Sequence, residues 1–440
     1  MPTRSRPVES RWPPMFRALR YRNYRLFFGG QIISLVGTWM QSVAQAWLVY
    51  RLTGSSLLLG IVGFASQIPV FILAPIGGMV ADRYNRRRIV ITTQSSAMAL
   101  AAVLAAITLA GRIRVWEIMA LAACLGVVNA FDVPARQAFV VEMVESPDLI
   151  NAIALNSSMV NSARILGPAI AGILVAAIGE GWCFFANAVS YIAVITGLLL
   201  MAIVPHERVK SAISALESIK EGFRFVGGTG PIRALLLLLG LVSITGMPYT
   251  VLMPIFAGSV LHSGAKGLGW LMGASGVGAL IGTLALAAKK QIRGLGLWIT
   301  YAALGFGGSM IVFSFSRSFL LSVALLVPVG FSMMLEMASS NTLIQTMVPD
   351  ALRGRVMSFY SMMLMGMAPF GALIAGAVAN RIGAPHTVML GGIVCLAGAL
   401  IFGLRWPGLR GEARQLILAQ AMSSGEPPEE ITGQAVRDAG

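Results

Sequence analysis

Residues 69–89 read PVFILAPIGGMVADRYNRRRI. An apolar run ends in Gly77-Gly78, and four residues after Gly78 comes Asp82, followed by Arg83, Arg86, Arg87 and Arg88. An apolar helix that stops abruptly at a cluster of arginines stops at the edge of a membrane, on its cytoplasmic side. The glycines let another helix approach closely. The lone carboxylate has more cations beside it than it can pair with, so one pairs locally and the rest are free for other helices or lipid phosphates.

Composition extends that setting to the whole chain. Of 440 residues, 56% are hydrophobic and 12% charged, and the mean hydropathy is +0.78. Soluble domains carry about a quarter charged residues, so this is a membrane protein that works in a lipid bilayer. A net charge of +15 suggests nucleic acid, but the arginines sit between apolar spans rather than on one stripe or arm, which excludes that partner. Cys124, Cys183 and Cys395 lie inside apolar runs without paired spacing and read as small packing residues. His206, His262 and His386 are scattered near span ends, and no nucleophile, base or metal constellation accompanies them. No enzyme activity, cofactor or metal is expected.

Each span needs about 20 apolar residues. The pattern predicts an all-α chain of twelve transmembrane helices near 23–49, 57–80, 89–110, 116–140, 152–178, 182–204, 232–260, 267–288, 295–314, 319–346, 355–379 and 385–404. With the N-terminus inside, Arg51, Arg112, Arg114, Lys266, Arg317 and Arg381 face outward and Arg164 lies in a span, leaving 26 of the 33 Lys and Arg cytoplasmic. The opposite orientation inverts that ratio, so both termini are placed inside. The domains expected are a cytoplasmic N-terminal tail (1–22), a six-helix bundle (23–204), a cytoplasmic linker (205–231), a second six-helix bundle (232–404) and a cytoplasmic tail (405–440). The N-terminal tail has no signal-type apolar core. In the linker, Ile213, Leu216, Ile219 and Phe223 fall at helical spacing and predict an amphipathic helix at the membrane surface. The C-terminal tail reads as polar and disordered.

The two halves repeat. A shift of 204 residues lays Gly126 on Gly330, Gly167 on Gly371, Ile170-Ala171-Gly172 on Ile374-Ala375-Gly376 and Ile178-Gly179 on Ile382-Gly383. Both copies begin on the same side of the membrane, which makes this a parallel repeat with a substrate cavity expected between its halves.

Ionisable residues deep in spans are costly and mark function. Asp132 lies about 12 Å from the inner end of the fourth span and Arg164 about 18 Å into the fifth, at the helical rise. Glu336 lies in the tenth span, and the same shift of 204 places it on Asp132. A cation holds a carboxyl in its ionised form. Glu336 has none near it in sequence, so it is the stronger proton carrier. For Asp132 and Arg164 two readings stand: an ion pair that braces the first half, or a coupling site in which the acid binds and releases a proton and competes with an anionic substrate group for the guanidinium. In the fifth span, Gly167 and Gly172 let helices pack closely, while Pro168 removes one backbone donor and bends the span.

These residues carry a resemblance. Gly78-x-x-x-Asp82-Arg83-x-x-Arg86-Arg87 resembles the loop between helices 2 and 3 of the major facilitator superfamily, with Asn85 where the family has glycine. Asn tolerates the left-handed conformation such a turn uses. Gly167-Pro168 through Gly172 resembles part of the fifth-helix motif of drug/proton antiporters. Phe131-Asp132-Val-Pro134-Ala-Arg136-Gln137 and Val348-Pro349-Asp350 through Arg353-Gly354-Arg355 look like the exporter branch that includes the enterobactin exporter, the transmembrane secretion effectors. The resemblance implies the major facilitator fold, two pseudo-symmetric six-helix bundles. It also implies a cytoplasmic gate built on Gly78, Asp82, Arg83, Arg86, Arg87, Arg136, Arg353 and Arg355, in which Asp82 latches onto the start of the eleventh helix.

In the superfamily arrangement helices 1, 4, 7 and 10 line the cavity. That brings Thr38, Gln41 and Gln45, then Tyr249, then Met333 and Met337 to its wall. Methionines with amides and hydroxyls suit an amphipathic small-molecule cargo. The reading is a monomeric secondary transporter in the inner membrane, a proton antiporter exporting siderophore-like or drug-like molecules by alternating access. A proton symporter or lysolipid transporter on the same fold, and a transport-inactive membrane sensor, remain the alternatives.

Overall fold

The computed structural model describes residues 14–202, 215–288 and 294–423. Lipid offers no partner to a backbone N–H or C=O, so an apolar chain satisfies its own by coiling. Among the described residues the elements are helices and no strand occurs. A short helix, Pro14–Arg20, precedes α1 (Arg22–Thr53), α2 (Ser56–Arg83), α3 (Arg86–Leu109), α4 (Val115–Phe139), α5 (Leu149–Ile178) and α6 (Glu180–Leu199). Then come the linker helix α7 (Ala215–Gly228), α8 (Gly230–Val260), α9 (Gly264–Ala288), α10 (Leu295–Phe315), α11 (Phe319–Met347), α12 (Asp350–Ile382) and α13 (Ala384–Ser423). All but the short first helix and α7 are long and apolar enough to cross a membrane, twelve spans in total.

The chain forms two compact units: Met1–Leu52, Ala65–Val209 and Gly264–Gly273 make up the first, and Thr53–Phe64, Lys210–Ser263 and Ala274–Gly440 the second. The first is centred on buried Tyr24, Phe27, Phe139, Met159, Val194 and Leu198. Tyr24 donates its hydroxyl to the Ala152 carbonyl at 2.8 Å, tying α1 to α5. The second packs Phe256 on Phe313 with ring centroids 4.7 Å apart, and Phe306 and Met253 are among its buried side chains.

Glycines matched by the 204-residue shift do matching work inside each unit. A Cβ on Gly126 would stand 2.5 Å from the Ser66 carbonyl, and one on Gly330 1.9 Å from that of Ser275. Gly172 meets Gly269, and Gly376 meets Gly60, with less than 3 Å of room at each. Gly179 and Gly383 end α5 and α12 at φ +87° and +84°, a conformation that costs other residues dearly. Where α8 and α12 pass Pro248, Pro254 and Pro369, turns of π geometry occur at Val242–Gly246, Phe256–Val260 and Met362–Gly366. A proline cannot donate to the preceding turn, and a widened turn accommodates the missing bond.

Two expectations are corrected. The C-terminal segment is not disordered from Arg405: α13 continues to Ser423. Trp406 stacks on Phe402 at 5.3 Å, Ala413 is buried, Glu412 accepts from the Gly230 N–H and Gln420 donates to Asp350. A polar average had hidden an apolar face spaced for a helix. Asn85 is also not left-handed. Its φ is −66°, and its side chain accepts from the Arg88 N–H at 3.1 Å as the N-cap of α3, a role asparagine fills well. Ile213 and the tails 1–13 and 424–440 lie outside the described residues.

Candidate functional site

Asp132, on α4, is 3% exposed. Its Oδ1 accepts from Thr93 Oγ1 at 2.8 Å and Gln94 Nε2 at 2.9 Å, both on α3. Its Oδ2 accepts from Arg136 Nε at 3.0 Å, one turn along the same helix. The cation on Asp132 is thus Arg136, which the sequence reading had assigned to the gate. The guanidinium of Arg164, the partner first offered to Asp132, lies over the Trp39 ring at 5.3 Å, a cation–π distance. Next to it, a Cβ on Gly167 would meet that of Trp39 at 2.4 Å, so Gly167 brings α5 against α1. Pro168 is buried one residue on.

Around Asp132, α1, α3, α4 and α6 border a small, partly open cavity of about 40 Å³. Gln31, Ser34 and Thr38 line it from α1, Thr93 and Gln94 from α3, Asn129, Asp132 and Arg136 from α4, and Tyr191 from α6. Thr38 donates to the Ser34 carbonyl and lies 3.4 Å from the Tyr191 hydroxyl. Gln41 turns instead to α6, accepting from Asn187 at 2.7 Å, and Gln45 is half-buried.

Glu336, on α11, is 1% exposed. Its Oε1 accepts from Ser340 at 3.3 Å, whereas among the described residues neither its Oε2 nor the hydroxyl of Ser339 has a hydrogen-bond partner. Among the described residues no cation forms an ion pair with it. Met333 and Met337 are buried on the same helix, and the Met337 carbonyl accepts from the Tyr360 hydroxyl. Tyr249, on α8, is 3% exposed and shares a 2.6 Å hydroxyl bond with Ser275.

The arginine-rich turn divides its labour. Gly77, not Gly78, makes the close approach: its Cβ would stand 2.0 Å from the Ala130 carbonyl, while nothing lies within 4 Å of Gly78. Arg86 reaches Glu142 at 3.1 Å and the Ala81 and Ala138 carbonyls at 3.2 Å each. Arg87 donates to the last carbonyls of α6, on Leu198 and Leu199, at 2.8 and 2.9 Å, which also suits the negative end of that helix dipole. Asp82 is exposed and stands 3.6 Å from Arg86, and Arg83 is exposed beside it. In the second unit Arg353 pairs with Asp350 and Arg355 with Glu221 of α7.

Residues 11–426 match the family described as transmembrane secretion effector. The chain belongs to that family of major facilitator transporters. The transmembrane secretion effectors are transporters, not enzymes, and curated relatives agree along nearly their whole length. A staphyloferrin A transporter of Staphylococcus aureus is 26% identical, covering 86% of this chain and 95% of its own. An enterobactin exporter of Citrobacter koseri is 26% identical over 92% and 95%. A nucleoside transporter of known crystal structure shares the fold, with a TM-score of 0.72 at 11% identity over 89% of this chain and 99% of that one.

Sequence reasoning missed Gln31, Thr93, Gln94 and Tyr191. Gln31 lies three residues before Ser34, on the face of α1 already singled out. Thr93-Gln94 is a polar pair inside an apolar span, which is itself a signal.

Proposed function

We propose that this transporter exports an amphipathic small molecule, siderophore-like or drug-like, in exchange for protons. It works as a monomer in the cytoplasmic membrane with both termini inside. Its bundles, 23–204 and 232–404, alternate access to a cavity between them while 205–231 joins them. The observation that carries this reading is Glu336: a carboxyl group 1% exposed, bonded by one serine and by no cation among the described residues. A carboxyl that meets water in one state and protein in the other changes its proton affinity between them, which is the coupling an antiporter requires. The exporter among the relatives supports the direction.

Asp132 plays a different part in this reading. Its charge is compensated by Arg136 and two further donors, so it holds its helices together. Arg164 is the residue that meets an acidic or phenolic group of the cargo. Asp82 closes the inner gate, and leaves Arg86 to do so.

Accumulation of labelled candidate cargoes in inside-out vesicles tests the proposal. An imposed acid-inside gradient is expected to drive uptake, and a protonophore to abolish it. Uptake that ignores the gradient overturns proton coupling.

A further inference from the structure

Two helices of the second unit change pitch where they face each other. α8 widens into a π-turn at Val242–Gly246, just before Pro248, and α12 into another at Met362–Gly366, just before Pro369. Ser243, 0% exposed, donates its hydroxyl from the first turn to the Leu364 carbonyl in the second, at 2.6 Å. The return contact comes from Ile244. An α-helical ladder would give its carbonyl to the N–H that Pro248 lacks, and here that carbonyl lies against α12, where a Cβ on Gly371 would stand 2.7 Å away. Gly240 completes the approach, since its Cβ would lie 3.1 Å from the Met363 sulfur.

The first unit makes the matching contact without such turns. The shift of 204 residues sets Ser243 on Trp39 and Gly371 on Gly167, and Gly167 does pack on Trp39. Yet α1 and α5 are α-helical throughout, although Pro168 follows directly. Close packing beside a proline therefore does not by itself require π geometry. Such turns are rare, they kink the helix that holds them, and they recur at functional positions.

We propose that α8 and α12 share one hinge: the two π-turns open and close as a single element, and the Ser243 hydroxyl couples them. A hinge needs only a few residues that absorb a change in φ and ψ, and a ladder already interrupted at a proline supplies them. On α12 the turn begins two residues past Tyr360, whose hydroxyl bonds the Met337 carbonyl beside Glu336. A bend there reaches the helix that carries the proposed proton site. That consequence rests on the export reading; the hinge itself does not.

The test is amide hydrogen exchange of the full chain in lipid nanodiscs, resolved to 242–247 and 362–367. One opening event exposes both turns, so their protection factors in the parent are expected to agree within about threefold. Ser243→Ala removes the shared donor and is expected to speed exchange in both turns by about tenfold, the worth of one hydrogen bond to a buried group. Pro369→Ala supplies the missing N–H on α12. It is expected to slow exchange in 362–367 and, through Ser243, in 242–247 of the other helix. With Ser243→Ala also present, that crossed effect is expected to vanish, a result that a merely packed serine would not give. Turns that exchange independently, turns that show no exchange, or a crossed effect that survives the loss of Ser243 would each overturn the inference. The comparison of the two turns in the parent needs no variant, so it stands even if Pro369→Ala fails to fold. Neither cargo nor gradient enters, so proton-coupled export is judged separately.

Discussion

Asp132 and Glu336 occupy equivalent positions 204 residues apart, and the residue one turn beyond each is what separates them: Arg136 bonds Asp132 at 3.0 Å, whereas Ser340 bonds Glu336 at 3.3 Å. One duplicated carboxyl is charge-compensated inside its unit and the other has an oxygen with no partner among the described residues. The proposal of Glu336 as the proton carrier rests on that difference.

Asp132→Asn leaves Arg136, whose side chain is only 17% exposed, without its counter-charge. Breaking one side of a buried pair costs about 3–5 kcal/mol, so the variant is expected to melt well below the parent. The double variant Asp132→Asn/Arg136→Gln recovers part of that loss. Thermal unfolding in nanodiscs reads both, and additive losses would show that the pair is not coupled.

Adjacent glycines are expected to respond oppositely. A methyl on Gly77 would collide with the Ala130 carbonyl of α4, while Gly78 has open space. Gly77→Ala should lower stability by about 1–3 kcal/mol. Gly78→Ala, within the same helix, should be neutral or raise it by up to about 1 kcal/mol. Comparable losses at both sites would contradict the close approach of α2 and α4.

The helical end of α13 makes its own prediction. Trp406 is 6% exposed, and its indole lies where a side chain on Gly296 would stand. Trp406→Ala is expected to cost about 3–5 kcal/mol, and truncation after Arg405 at least as much. If that truncation is silent, the helical end contributes nothing to the unit.

The pair between Glu221 and Arg355 fastens the linker helix to the start of α12. Glu221 is about half exposed, so the pair itself is worth little, roughly 0–1 kcal/mol. Glu221→Gln should therefore leave global stability unchanged yet speed proteolysis within 205–231. An unaltered cleavage rate would mean that the ring contact of Phe223 with Phe359 holds the helix alone.

The spans were legible because a membrane permits few solutions: a run of apolar residues of the right length can only be a helix. The repeat was legible through glycines, and the reason is now visible: Gly126 and Gly330, and Gly172 and Gly376, admit a neighbouring backbone, while Gly179 and Gly383 end helices at positive φ. Partnerships were harder to read. Arg136 and Arg164 lie four and 32 residues beyond Asp132, and spacing alone did not say which cation reaches it. A helical i,i+4 neighbour is always within range, and that simple rule outweighed the appeal of a charge in the next span. The end of α13 escaped because charged residues masked its periodicity.

The central claim is that Glu336 carries the exchanged proton. Cargo added to inside-out vesicles under no gradient should move protons in the opposite direction, read by an entrapped pH dye. With Glu336→Gln the account predicts that this proton signal disappears while cargo still binds and equilibrates. A full proton signal from the Gln variant would contradict it.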